Sequence, residues 1–165
     1  SDVLQLTNSN STRSFGQRIT FSTDHNDTVS GFFTCKGGTT TRLQIYSNGN
    51  VQNTNNSYGA LSDEKLKENI VDATDKLEDL KQVRIRNYNL IGENKKQIGV
   101  IAQELETIFP NMIEEIPDLD NNHNDLGTTT KSVKYSVFVP ILIKAIQEQQ
   151  TIIDNLTTRI EALEG

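Results

Sequence analysis

Leu61-Ser62-Asp63-Glu64-Lys65-Leu66-Lys67-Glu68-Asn69-Ile70 divides the chain into two parts of different chemistry. Before this stretch the sequence is poor in charge and rich in Asn, Ser and Thr. After it the sequence is charged and helix-prone, with apolar residues recurring at helical spacing. A serine and a lysine five positions apart, Ser62 and Lys67, sit on the boundary. A serine hydroxyl is a weak nucleophile until a base takes its proton. A lysine can be that base only when neutral, which burial favours. Serine–lysine pairs are a known variant of the serine triad. On one continuous helix, residues five apart point about 140° away from each other. Ser62 must therefore lie just before the helix that carries Lys67, in extended or capping geometry, with Lys67 folding back. The plainer alternative is that Ser62 or Asp63 caps a helix and Lys67 is a solvated surface lysine. Spacing alone favours the plainer one.

Composition narrows the function classes. The chain has 165 residues, 34% hydrophobic and 6% aromatic, thin in apolar material for a chain that buries its own core. Such a chain often draws stability from partner subunits. The formal net charge of −6 and pI near 4.9 disfavour nucleic acid and anionic membranes, both of which want basic patches. The sequence contains no apolar run of spanning length and no signal-peptide pattern. A single cysteine, Cys35, excludes an internal disulfide. His25 and His123 lie far apart, and no metal-ligand spacing surrounds either. Asp118-Leu119-Asp120-Asn121-Asn122 begins like a calcium loop, but His123 stands where glycine is required and Thr129 at the twelfth position. Gly92 to Gly99 lacks the ending of a phosphate loop.

Residues 1 to about 60 read as short strands: Val3–Leu6, Arg18–Phe21, Gly31–Thr34 and Arg42–Tyr46, separated by Asn, Ser, Asp and Gly clusters with turn chemistry. Asn48-Gly49-Asn50 marks a tight turn, because Asn and Gly accept positive φ cheaply. With few apolar residues per strand, the segment either intertwines with copies of itself or forms an ordinary small β-sandwich. Residues 52–60 read as an exposed connector. Beyond the boundary, Asp63 and Glu64 suit a first helical turn. Asp75–Gln82 is a second helical candidate, with Leu77 and Leu80 on one face. Val83–Leu90 alternates as a strand, Ile91–Asn94 turns, and Gln97–Val100 returns. Ile101, Leu105 and Ile108 recur at helical spacing up to Pro110, which stops that helix. Asn111–Ile116 is extended, Asp118–Thr130 a polar loop, and Lys131–Tyr135 leads into the last element.

In that element Leu142, Ile146, Gln149, Ile153, Leu156, Ile160 and Leu163 step by four and three in alternation. This is a heptad seam of about three repeats. Ile at a and Leu mostly at d favour two strands. Ile143 and Ile152, at e and g, widen the apolar face, which suits three strands or packing against the globular part. Gln149 at d would fix register at some cost in stability. The alternative is an amphipathic helix folded against its own domain. Pro140 fits the first turn, where its missing N–H costs least.

From Leu61 to the end, the chain resembles the C-terminal intramolecular chaperone domain of phage tailspikes and tail fibres, the self-cleaving endosialidase-type domain. Ser62–Ile70 is similar to that family's entry motif. Tyr88-Asn89, Ile98–Glu106 and Phe109-Pro110 are similar to its central block, and Tyr135, Val139-Pro140 and Leu142–Leu163 to its closing helix. The resemblance implies an α+β fold in three parts. Residues 1–61 would be the β-rich end of a fibre, with strands intertwined in a trimer. Residues 62–136 would be a small mixed α/β chaperone body, and 137–165 the helix of a trimeric coiled coil. It implies a homotrimer that templates its own upstream segment and then cuts the Leu61–Ser62 bond in cis, once. Ser62 falls on the family's nucleophile and Lys67 on its base. Lys65 does not match the spacing, Asp63 would orient the site or cap the helix, and no metal or cofactor is implied. The fibre part would reside in the virion and the chaperone part would be released in the host cytoplasm. The resemblance assigns nothing to the 118–130 segment. A related domain occurs in a membrane-tethered eukaryotic transcription factor, but the β-rich segment favours the viral form. A structural fibre tip that trimerises without cutting is the alternative.

Overall fold

The computed structural model describes residues 17, 19–120 and 124–165. The expected strand Val3–Leu6, the residue Arg18 and His123 lie outside them. Contacts divide the chain between Glu68 and Asn69 into two units. Together they make a mixed α/β architecture with a long C-terminal helix.

The first unit is built on a three-stranded antiparallel sheet in the order β1 (Gly31–Gly37), β2 (Thr40–Tyr46), β3 (Val51–Asn53). Both strands expected here lie inside β1 and β2. The β2–β3 reversal falls on Asn48-Gly49, where Gly49 has φ +83° and the Asn48 side chain accepts the Asn50 N–H at 3.0 Å. The turn chemistry in the sequence thus sets the register of this hairpin. β3 takes Gln52 and Asn53 out of the expected connector. The rest stays exposed, tied by Asn53 Oδ1, which accepts from the Asn55 and Ser57 N–H groups, and by the Tyr58 hydroxyl, which donates to Val51 O. Ile19–Phe21 does not form the expected strand. Phe21 instead stacks on Phe32 of β1, with ring centroids 4.8 Å apart. A side-chain contact has replaced a ladder there. Among the described residues of this unit none is buried.

The second unit closes a small core. Helix α1 (Leu77–Gln82) precedes the hairpin β4 (Arg86–Asn89) and β5 (Lys96–Gly99). Helix α2 (Ala102–Glu106), the hairpin β6 (Ile113–Leu119) and β7 (Asp125–Val133), and helix α3 (Phe138–Glu164) follow. Val100, Leu105, Phe109, Met112 and Ile141 form the buried cluster, flanked by Leu80, Val83, Ile108, Ile113, Val133 and Phe138. β4 is shorter than the alternation over 83–90 predicts, because Val83 turns into this cluster before the ladder begins.

Two further expectations are corrected. Helix α2 does not run to Pro110. The Leu105 carbonyl accepts from both Ile108 and Phe109 N–H groups, which tightens and ends the helix. Pro110 then opens a separate 3-10 turn that carries Met112 into the core. The stretch expected as a polar loop over 118–130 contains the end of β6, residues 118–119, and most of β7, residues 125–130. Both faces of the β6–β7 hairpin are largely solvated, so its strands lack the apolar alternation that signals a half-buried sheet. Polar cross-strand pairs hold it instead: Thr128 and Thr130 hydroxyls donate to Asp118, each at 2.7 Å.

Helix α3 divides its faces. Ile141 and Ala145 are buried against the body, and Glu148 accepts the Lys76 and Leu77 N–H groups at the start of α1, at 2.8 and 3.0 Å. The helix is therefore folded against its own domain over its first half, the alternative reading of the heptads. The seam residues Leu142, Ile146, Gln149, Ile153, Leu156, Ile160 and Leu163 are nevertheless exposed. Pro140 is the third residue of α3, within its first turn. No helix of the described residues is long and apolar enough to cross a membrane.

Candidate active site

Ser62 and Lys67 meet. Asp63 is extended, with φ −64° and ψ 139°, and Glu64–Leu66 make one 3-10 turn. Lys67 follows that turn in extended geometry, with φ −127° and ψ 149°. Leu66 N–H donates to Asp63 O and Lys67 N–H to Glu64 O, so the chain reverses within one turn. The Lys67 ammonium returns across it and donates to Ser62 Oγ at 2.7 Å and to Ser62 O at 3.0 Å. Ser62 precedes the turn and Lys67 folds back, as the spacing demands. The expected helix is corrected, however: no α-helix carries Lys67, because the turn ends with it.

The same two heavy atoms could form the reverse hydrogen bond, hydroxyl to neutral amine, which is the arrangement a general base needs. Both side chains are exposed here, as are Leu61 and Lys65. Asp63 caps the turn, its Oδ1 accepting the Lys65 N–H at 3.0 Å, while its Oδ2 lies 3.5 Å from Lys65 Nζ. The N-cap preference of Asp was the available signal for this role. What could not be read from sequence was that the turn would stop so soon.

The other candidates lie elsewhere. His25 sits beside Asp27, at 3.8 Å, and packs edge-on to Phe21. The Asp27 carboxyl is held below its usual range by the Ser30 and Val29 N–H groups. Cys35 is a half-buried free thiol on β1. Asp118, in the calcium-like stretch, is committed to threonines. The Thr128 hydroxyl, then that of Thr130, lowers its pKa. Among the described residues no group of His, Cys, Asp and Glu could hold a metal ion.

In the body, the chemistry-bearing groups are structural. Arg86 binds Glu104 through two nitrogens, at 3.0 and 2.6 Å. Those hydrogen bonds hold the Glu104 carboxyl below its ordinary pKa. Lys131 bridges Glu106 and Glu115. Gly99 lies where the Tyr88 and Tyr135 phenols converge. A Cβ there would come within 2.6 Å of the Tyr135 oxygen, which accepts the Val100 N–H at 3.2 Å. This close approach explains a glycine at the end of a strand.

Residues 62–114 match the family model described as the chaperone of endosialidase. The match covers 53 of the 165 residues. It begins at Ser62, takes in the Ser62–Lys67 turn, and runs through α1, β4, β5 and α2 into the start of β6. It supports a C-terminal intramolecular chaperone domain in this chain, from a family named as a peptidase as well as a chaperone.

Proposed function

We propose that this chain, whose residues 62–114 match the family model described as the chaperone of endosialidase, is the β-rich end of a viral fibre or tailspike joined to its self-releasing chaperone. The chaperone domain trimerises, templates the upstream β segment and then cuts the Leu61–Ser62 bond. The observation that carries this reading is the 2.7 Å contact between Lys67 Nζ and Ser62 Oγ, in a matched segment that opens at Ser62.

The chemistry runs in two steps. Neutral Lys67 takes the Ser62 hydroxyl proton as Oγ attacks the Leu61 carbonyl carbon. The C–N bond breaks, the Ser62 nitrogen leaves as an amine after receiving a proton from Lys67, and an ester joins Leu61 to Ser62 Oγ. Water then hydrolyses the ester, leaving a carboxylate on Leu61 and restoring the hydroxyl. No cofactor enters either step.

Lys67 must be neutral to act as the base, and desolvation is what favours a neutral lysine. Assembly supplies the missing desolvation. The exposed seam of α3 brings three copies together, raising their effective concentration. Strands of the first unit then find one register, a step that is slow for long-range pairing. Cleavage removes the head and leaves the fibre kinetically trapped. In this reading the fibre stays in the virion, and the head is left in the host cytoplasm.

The exposure of both Ser62 and Lys67 also favours a second reading, a structural trimerisation tip that does not cut. Intact mass of the freshly purified chain, beside Ser62→Ala, separates the two. Two fragments meeting at Leu61–Ser62, with the variant uncut, is the expected result. A single full-length species in both, from chains shown to be trimeric, overturns cleavage and leaves the structural tip.

A further inference from the structure

We infer that Asp63 is a positioning residue for the Ser62–Lys67 pair: it fixes the turn that brings Lys67, and not Lys65, onto the Ser62 hydroxyl. The inference rests on the self-cleavage reading above. Two lysines follow Ser62 closely, and either could supply an amine. The Asp63 carboxylate occupies one of them, accepting the Lys65 N–H at 3.0 Å and lying 3.5 Å from its ammonium. The Asp63 carbonyl accepts the Leu66 N–H at 3.1 Å, and Glu64 O accepts the Lys67 N–H at 2.9 Å. The turn so closed is what returns Lys67 to Ser62.

Neither alternative backbone would do this. An extended chain would carry Lys67 about 16 Å from Ser62, beyond the reach of its side chain. A continuous α-helix would rotate it about 140° away. In the single chain the turn has little other support, since none of its residues is buried and an isolated turn is marginal in water. The cap is therefore a large share of what holds it.

Replacing a capping Asp by Ala should cut the equilibrium constant for forming the turn about fivefold, and the population by as much where the turn is marginal. Asn accepts the same N–H bond without the charge, so it separates capping from electrostatics. The experiment is the cleavage time course of the full-length chain by intact mass, from pH 6 to pH 9, for wild type, Asp63→Ala, Asp63→Asn and Lys65→Ala. Asp63→Ala is expected to slow cleavage about fivefold at every pH, with an unshifted pH midpoint. Asp63→Asn should restore the rate to within about twofold, and Lys65→Ala should stay within about twofold of wild type. Wild-type speed in Asp63→Ala overturns the inference. So does Asp63→Asn as slow as Asp63→Ala with a shifted midpoint, since the charge would then be acting on Lys67.

A readout independent of cutting keeps the two proposals apart. In a Ser62→Ala background, amide hydrogen exchange at Lys65 and Lys67 should be faster with Asp63→Ala than without it. Unchanged exchange at both amides overturns the cap whether or not the wild-type chain cuts.

Discussion

The two units of this chain differ in what they bury. Among its described residues the second closes six away from solvent: Val100, Leu105, Phe109, Met112, Ile141 and Ala145. The first, among its described residues, closes away none. Its strands are seven, seven and three residues long, and a sheet of that size with open faces is marginal by itself. In the proposed reading this difference sets an order of events. The unit with its own core would fold from a single chain, and the sheet, which buries none of its described residues, would wait for other surfaces. That asymmetry is what the proposal asks of a template and its client.

The sharpest way to break the comparison is to empty the core. Leu105 is 1% exposed, and Leu105→Ala should cost the body about 2–5 kcal/mol in urea unfolding followed by circular dichroism. Phe33→Ala on β1, where the ring is 45% exposed, should cost less than about 1 kcal/mol in dilute monomer. If its cost rises towards that of Leu105→Ala only at concentrations where the chain associates, copies are burying β1. A large cost in dilute monomer would show that the sheet is self-sufficient.

Acid should also act unequally. Glu104 and Asp118 are held below their ordinary pKa by hydrogen bonds from Arg86 and Thr128. At Glu148 burial pushes the pKa up, but the Lys76 and Leu77 N–H groups outweigh it and leave it lowered. A carboxyl with a lowered folded pKa binds fewer protons folded than unfolded. Its stabilisation is complete above the ordinary carboxylate range of about 4 to 4.5 and is lost as pH falls through the folded value. All three lie in the second unit. Its melting temperature should therefore fall on acidification below about pH 4.5, and fall less steeply in Glu148→Gln. Equal slopes in the two proteins would sink the assignment of Glu148 as the cap of α1.

The smallest effect on the single chain should come from the seam. Ile153→Asp with Leu156→Asp should leave the unfolding free energy of the monomer within about 0.5 kcal/mol, because both residues are exposed. Sedimentation should show the proposed trimer in the wild-type chain and its loss in this variant. An oligomer that survives both charges would move the self-contact to another surface.

Legibility followed the same divide between local and long-range causes. The Asn48-Gly49 turn, the strands around Cys35 and Leu43, and the α2 pattern through Leu105 carry their causes in neighbouring residues. The Ser62–Lys67 approach was legible as a constraint, since spacing alone forbids a shared helix, but not as a particular turn. The β6–β7 hairpin was not legible. Its strands are held by Asp118, Thr128 and Thr130 across a solvated face, and the same residue types elsewhere make loops. Nor could the sequence show that α3 would hold the body with Ile141, Ala145 and Glu148 while presenting its heptads outward. That division depends on where α1 ends up.

The dyad lies wholly on one side of the bond proposed for cutting, since Ser62 and Lys67 both follow Leu61. A break there makes Ser62 the first residue of the departing piece and takes Lys67 away with it. The fibre would retain only a terminal carboxylate and no means of cutting anything again. Each copy would then carry a fuse rather than a tool: it burns once, leaves with the debris, and its count of spent ends records how many chains were finished.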